Sequence, residues 1–434
     1  MTTFLVICPT FNHADALFMS ISSVRAQDFT DWEMVVIGDG APERTAEIVE
    51  QFSRQDDRIR YVAQPKGPRY GEAYRDPVIR ESAAKYVCHL SDDDLWAPDH
   101  LSIMLGLLEE ADWVTQSEIR LLPNGAVQWG ALNHGVPSIR EAVRRHSHLS
   151  SGLNYVAYRR QTYVDLPVGW EDAPWEYGQS DLYMWAKFMH AGDLRIASTG
   201  ASGALKLTSH TPERFAATPE ARAVELGTWL ARIGRPGFLN QMKREASIQF
   251  KIARLFSACG GAMAQSVEEA CAMAGLRLCE PDAQPNIAVN GAPMDLGLMP
   301  AQRKEAENAW LALRCLARGE ENAAPKELLA QSLGKDRGAW IKTLHILNQD
   351  HPEAALAGVD LLEQAVPDSD RPAHFLRMVL LARTGDTATA QRLLNETPET
   401  WQDGADFANA RSVVTSFASP SAMRPWQKQT KPQK

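Results

Sequence analysis

The stretch HLSDDDLWAPDHL, residues 89–101, sets three consecutive aspartates directly after an apolar run. Carboxylates side by side repel one another, and at the end of a buried strand they also lose hydration. A fold accepts that arrangement where something positive shares the charge, or where the loop stays wet. The candidates are a metal ion, a cationic side chain, a helix N-terminus or water. Asp94, just before LWAPDHL, could equally be a plain helix cap.

Other residues of this kind stand at comparable places. PTFN (Pro9, Thr10, Asn12) closes the first apolar run, GDG (Gly38, Asp39, Gly40) closes the second, and QPKGPRYG brings Lys66 and Arg69 after the third. Lys66 and Arg69 could pair with phosphate, or simply be exposed. Asp39 before Gly40 also reads as a turn residue. Further on, Asp181 in SDLYMWAKFMHAG begins an amphipathic pattern ended by Gly192. A carboxylate at a helix N-terminus is favoured in its ionised form, which suits a general base and a cap alike. Trp170, Trp175, Tyr177 and Trp185 lie close by in sequence; aromatic faces suit sugar rings and a hydrophobic core equally. Glu171 and Asp172, in GWEDAPWE, are a second-ranked pair of acids.

The elements that must position these residues alternate. TFLVICPT, WEMVVIGDG, RIRYVAQP and KYVCHLSD read as strands, separated by the helical patterns HADALFMSISSVRAQ, ERTAEIVEQFSRQ and EAYRDPVIRESA. Near-continuous apolar strands in β-α-β order predict a parallel sheet covered on both faces, with its ligand beyond the carboxyl ends of the strands. WVTQSEIRLLPNGAVQWGAL reads as a strand pair around Pro-Asn-Gly, and RIASTGASGALKLTSH as one or two closing strands.

From about residue 220 the patterns are helical. RLCEPDAQPNIAVNGAPMDLGLMP carries four prolines and reads as a linker or long loop. The Leu361-Leu362 and Leu393-Leu394 pairs stand 32 residues apart, near the period of a tetratricopeptide helix pair, although any amphipathic hairpin could share it. The tail SPSAMRPWQKQTKPQK is polar and reads as disordered. The predicted organisation is 1–215 as an α/β domain, 216–280 as a helical extension, 281–300 as a linker, 301–415 as a helical domain and 416–434 as a disordered tail.

Composition bounds the function. The chain has 434 residues, 44% apolar and 23% charged, with 45 Lys and Arg against 54 Asp and Glu for a net charge of −9. That balance disfavours a nucleic-acid partner, which needs a basic face to displace counterions. MTTFLVICPTFNHAD lacks a basic leader region, and no stretch approaches the ~20 apolar residues of a membrane span. The six cysteines form no CxxC pair, which predicts reduced thiols and a cytoplasmic setting.

Taken together, ICPTFNHADALFMSISSVRAQDFTDWEMVVIGDGAPERTAEIVEQF, LSDDDLWAPDHL and SDLYMWAKFMHAGDLRIA resemble the family 2 glycosyltransferases over about residues 3–210. They match the strand–PTYN–helix, SVLAQ, DDGS, DXD and ED-x-x-L segments in the family's order. The resemblance implies a GT-A, Rossmann-like, mostly parallel sheet flanked by helices. An all-α region, tetratricopeptide-like in its spacing, would follow it.

What the resemblance implies about function is a metal-dependent, inverting transfer of a sugar from a nucleoside diphosphate, UDP first, in polysaccharide biosynthesis. The acceptor would be a hydroxyl on a glycan, lipid-linked glycan or protein. The cofactor would be Mn²⁺ or Mg²⁺, and the setting the cytoplasm or the inner face of the membrane. Asp92 would face the ribose, and Asp93 or Asp94 the metal, with His210 as a further ligand. Asp39 would meet the base, with Pro9, Thr10 and Asn12 along the nucleotide slot, and Asp181 would be the catalytic base. Two positions depart from the pattern: Gly38 replaces the first aspartate of DDG, and Ser180 replaces the glutamate of ED. They favour the alternative, a catalytically inactive scaffold working through its helical C-terminal half. A sugar-nucleotide pyrophosphorylase would need a Gly-rich, Arg-containing loop after the first strand, which PTFNHAD does not supply.

Overall fold

The computed structural model describes residues 2–123, 125–145, 151–174, 179–207, 212–215, 217–246, 248–259, 263–279, 286–318, 337–365, 371–402 and 405–418. Two compact units divide the chain, residues 1–306 and 307–434.

Apolar runs too continuous for a one-sided strand build the first unit. β1 (Phe4–Thr10), β2 (Trp32–Asp39), β3 (Ile59–Gln64) and β4 (Tyr86–His89) lie parallel in the order β3-β2-β1-β4. Successive side chains of a strand point to opposite faces, so Phe4, Val6 and Cys8 enter one core. Leu5 and Ile7 enter the other. The first core is covered by the helices Ala14–Arg25, Glu43–Ser53 and His100–Glu110, the second by Arg75–Glu81 and Ser180–His190. Burying each such aliphatic side chain contributes about 1.5–3 kcal/mol. That is why β1, β2 and β4 tolerate so little polarity before their carboxyl ends, while the edge strand β3 carries the exposed Arg60.

Beyond β4 the sheet becomes mixed. β5 (Leu95–Trp96) leaves it, and β6 (Trp113–Gln116) belongs to it. β7 (Glu118–Leu121) and β8 (Val127–Gly130) form the hairpin expected around Pro-Asn-Gly, but in a second sheet. β9 (Val156–Arg159) runs antiparallel between β4 and β6. β10 (Ile196–Thr199) is parallel to β6, while β11 (Ala204–Leu207) joins the second sheet in the order β5-β11-β7-β8. The sequence WVTQSEIRL therefore divides at Ser117 between two sheets.

The helices Pro219–Ile233, Phe238–Glu245 and Gln249–Ala258 follow. The proline-rich stretch expected as a linker holds strands: β12 (Leu276–Cys279) pairs with β14 (Met294–Gly297), and β13 (Ile287–Val289) adds antiparallel to β10 at the edge of the main sheet. The second unit is helical, with Arg337–Asp350, Pro352–Ala365, Arg371–Thr384, Thr387–Glu396 and Ala405–Ala418. Phe375, Met378, Leu394, Phe407 and Val414 form its core. The Leu361-Leu362 and Leu393-Leu394 pairs fall on two of these helices. Of the tail expected to be disordered, 416–434, residues 416–418 close the helix Ala405–Ala418, and 419–434 lie outside the described residues.

Candidate active site

Four parallel strands bring their carboxyl ends to one edge, where β1 ends in Thr10 and β2 in Asp39, followed after β3 and β4 by the 65–71 loop and Asp92–Asp94. The three aspartates of SDDD, equivalent in sequence, have three different environments.

Asp94 is fully buried. Its Oδ1 accepts from the Leu207 N–H at 2.6 Å, and its Oδ2 accepts from the Asn154 amide and faces Lys206 Nζ at 3.4 Å. Burial pushes its pKa up, and Lys206 pulls the other way. Both oxygens are spent inside the protein, so this aspartate fastens the loop to β11.

Asp93 pairs with Arg222, from the helix Pro219–Ile233, at 3.0 Å. Asp92 receives His13 Nδ1 at 3.1 Å. The hydrogen bond to Asp92 raises the His13 pKa to about 9, against the opposing effect of burial. One ligand atom from each of His13, Asp92 and Asp93 lies within 4.8 Å of the others. An imidazole with two carboxylates fits a borderline-hard divalent cation such as Mn²⁺ better than Mg²⁺, which prefers oxygen alone. The group expected from sequence was Asp93, Asp94 and His210. Asp94 is committed elsewhere, His13 takes part, and His210 lies outside the described residues. The Ser20 hydroxyl, 3.0 and 2.8 Å from the carbonyl oxygens of Asp92 and Asp94, holds the loop from beneath.

Asp39 is buried under the 65–71 loop. Its oxygens accept from Lys66 Nζ at 2.7 Å and from the Gly67 N–H at 2.6 Å. Gly71, at φ +58°, passes so close that a β-carbon there would strike the Asp39 carboxylate. Lys66 is therefore partnered by Asp39. Arg69 reaches the other way, its Nη1 donating to the carbonyls of Ala173 and Pro174 at 2.6 and 2.8 Å. Thr10 is buried with its hydroxyl unspent among the described residues, Pro9 is half-buried and Asn12 exposed.

Asp181 lies in the first turn of the helix Ser180–His190, whose N-cap Gln179 makes no side-chain cap hydrogen bond among the described residues. Its Oδ1 accepts from the Leu182 N–H at 2.9 Å. The carboxylate is therefore not at the N-cap position, although it satisfies one free amide of the first turn. Among the described residues, Arg120, Lys206 and Arg75 feel its charge. Burial disfavours the charge on Arg120, but Glu118, Tyr155 and Asp181 more than restore it. Burial likewise opposes the Lys206 charge, which Asp94, Asp93 and Asp181 then hold up. Arg75, lowered by burial and sustained by Glu72 and Asp181, stacks over the Trp170 ring at 4.3 Å. Its Nε and Nη1 are buried with no hydrogen-bond partner among the described residues, which leaves both able to donate to an anion. Glu171 is tied to Lys187 and Tyr183, and Asp172 is exposed.

Trp170 and Trp185 pack edge-on to each other at 5.8 Å in the core, and Trp175 and Tyr177 lie outside the described residues. Sequence reasoning overlooked His13, Arg75 and Arg222. For His13 the signal was its place one residue after PTFN. Arg222 is separated from Asp93 by 129 residues, and nothing local announces it.

Residues 5–147 match the profile of the family described as glycosyl transferase family 2. An uncharacterized glycosyltransferase of Rickettsia bellii is 33% identical over 110 residues, which is 25% of this chain and 15% of that one. The GalNAc(5)-diNAcBac-PP-undecaprenol beta-1,3-glucosyltransferase of Campylobacter jejuni is 30% identical over 100 residues, 23% of this chain and 32% of that one. The chain thus spans less than half the length of these relatives. Among solved structures, S. aureus TarS 1–349 aligns over 98% of this chain and 93% of its own at 14% identity, with a TM-score of 0.39.

Proposed function

We propose, for a chain that belongs to glycosyltransferase family 2 through residues 5–147, that it transfers a sugar from a nucleoside diphosphate to a hydroxyl acceptor, with inversion and with a divalent cation. The observation that carries this reading is the convergence of His13, Asp92 and Asp93 at the same strand-end edge as Asp39. A cation bound there would act as a Lewis acid on the diphosphate and balance its charge.

This chain's residues supply the rest. Thr10 and Asp39 border the slot for the nucleoside, UDP being the first candidate. Asp181 takes the proton of the acceptor hydroxyl as its oxygen bonds to the anomeric carbon. The bond from that carbon to the phosphate oxygen breaks on the opposite face, and the electron pair leaves with the diphosphate. Arg75, with two nitrogen donors unspent among the described residues, offers fixed positive charge in the same region. Residues 1–215 are the catalytic part of this reading. The helical region 301–415 positions a glycan, lipid-linked or protein acceptor, or a protein partner, and the tail beyond it is an appendage. The described residues hold no helix long and apolar enough to cross a membrane; in this reading the setting is the cytoplasm or the inner face of the membrane.

A catalytically inactive donor-binding scaffold is the second reading, favoured by Gly38 and by the guanidinium on Asp93. Thermal unfolding of the full chain with nucleoside diphosphates, with and without Mn²⁺, tests the donor site. The expected result is stabilisation by one nucleotide that grows with Mn²⁺, by roughly 2–3 kcal/mol at a hundredfold excess over Kd. A folded protein that responds to none of them would remove the donor site. Binding without turnover would leave the scaffold.

A further inference from the structure

Arg222 is buried, 4% exposed, and its partner Asp93 is 7% exposed. Its Nη2 donates to Asp93 Oδ2 at 3.0 Å and lies 3.5 Å from the Leu207 carbonyl, while its Nη1 donates to Glu225 Oε2 at 2.6 Å. A guanidinium enclosed in this way is part of the site, unlike an exposed pair that solvent screens. The helix that carries it is firmly seated. Thr218 caps its N-terminus by accepting from the Ala221 N–H at 3.2 Å. A β-carbon on Gly227 would meet Met19 of the first helix at 3.3 Å. Arg214 grips Glu225 from the other side and donates to the Leu121 carbonyl at 2.7 Å. Glu225 is thus shared by two arginines, and Arg222 by two carboxylates.

We infer that Arg222 is the resident counter-cation of Asp93 and couples metal uptake to donor binding, so that Mn²⁺ enters the His13–Asp92–Asp93 group with a nucleoside diphosphate and not ahead of it. This rests on the donor reading above. A divalent cation approaching Asp93 meets a positive charge already in contact with that carboxylate, in a site where solvent screens poorly. A diphosphate changes the balance. Its oxygens match the guanidinium fork bidentately, so Arg222 can turn to the phosphate and release the Asp93 oxygen. Each ligand then tightens the other by the same factor, as linkage requires.

The test is calorimetric titration of the full chain with Mn²⁺ alone, with UDP alone, and with Mn²⁺ at saturating UDP. Wild type, Arg222→Gln and Glu225→Gln are compared. In the wild type, UDP should tighten Mn²⁺ by about 10-fold or more. Arg222→Gln should tighten Mn²⁺ alone by about 10-fold and shrink that coupling towards one. Glu225→Gln keeps an oxygen for Arg214 but leaves Asp93 as the one full negative charge held by Arg222, and should weaken Mn²⁺ alone. Opposite shifts in the two variants are the signature, because a merely structural role would move both the same way. Where Arg222→Gln loses its helical signal, Glu225→Gln carries the test. Equal Mn²⁺ affinity in the folded proteins, or parallel shifts, overturns the inference. No UDP heat from any folded protein overturns the donor reading and the coupling with it, and the Mn²⁺-alone titrations tell the two failures apart.

Discussion

The hydroxyl of Tyr61, on β3, fills the space that a β-carbon on Gly38 would need near the end of β2. Tyr61 is the register partner of Val36, and Gly38 is two residues further along, so their side chains belong to one face of the sheet. The half-buried ring packs against the core cluster that includes Val36. The missing first aspartate of the family pattern is thus accompanied by a tyrosine that takes its volume. Gly38→Asp should cost about 1–3 kcal/mol, because the ring must leave its place. Adding Tyr61→Ser should recover most of that. Urea unfolding of both single variants and the double variant measures the coupling; additivity within about 0.5 kcal/mol would mean that the tyrosine is not what excludes the acid.

Asp94 and Asp93 should respond differently to truncation. Asp94→Ala strips the Leu207 N–H and the Asn154 amide of their acceptor and leaves Lys206 without its carboxylate. Each stranded buried donor costs about 1–3 kcal/mol, so a loss near 3 kcal/mol is expected, with poor folding at 37 °C. Asp93→Ala leaves Arg222 with Glu225 and the Leu207 carbonyl. It should cost about 1–2 kcal/mol while abolishing Mn²⁺ uptake. Denaturant midpoints and Mn²⁺ titration of the two variants check both statements, and equal stability losses would refute the division of labour.

That contrast shows where sequence reasoning reached its limit. The alternating apolar runs specified a parallel sheet, because residues buried on both faces must be apolar throughout. The polar strand ends then marked the edge where a ligand belongs. The order within SDDD was illegible, because three adjacent aspartates differ only in what folds against them: His13 just before the first helix, Arg222 from 129 residues away and the β11 backbone. The stretch 277–300 signalled a loop through its prolines, yet β13 is held by pairing with β10, a partner invisible to any local window. Ser117 shows the same limit, since WVTQ and EIRL are separated by that one residue, yet they belong to two different sheets.

Acid should destabilise the first unit through histidines that fold neutral. His100 stacks on Trp96 at 4.0 Å, and its Nδ1 accepts from the Gln116 amide at 2.8 Å. Burial lowers its pKa from 6.5 to about 3. His134, beside Trp113, is lowered by burial to about 4. As pH falls below about 6.5 the unfolded chain takes up these protons before the folded one does. The stabilisation is therefore complete above about 6.5 and is lost on descent towards 4 and 3, by up to about 1.4 kcal/mol per pH unit per histidine. Unfolding free energy measured from pH 7.5 to 4.5 should show this slope. His100→Gln, which keeps an acceptor for Gln116, should reduce the slope by about one proton; an unchanged slope would exclude His100 as a source.

Asp181→Asn separates the proton-transfer role from a structural one. The carboxylate is not the cap of its helix, and the contact to the Leu182 N–H needs a single acceptor oxygen, which asparagine retains. The fold should therefore change by less than about 1 kcal/mol. An amide cannot take the proton of the acceptor hydroxyl, so transfer should fall by about 10²–10⁴-fold. Nucleotide affinity should stay within a few fold, because the Asp39 and Asp92–Asp93 side of the site is untouched. Single-turnover transfer, nucleotide titration and denaturant unfolding on one preparation give the three readings. Loss of transfer with intact binding and stability supports the base. Loss of stability in step with activity would assign Asp181 to the scaffold. Full activity in the variant would move the proton acceptor to another carboxylate, with Asp172, exposed nearby in sequence, the next to replace.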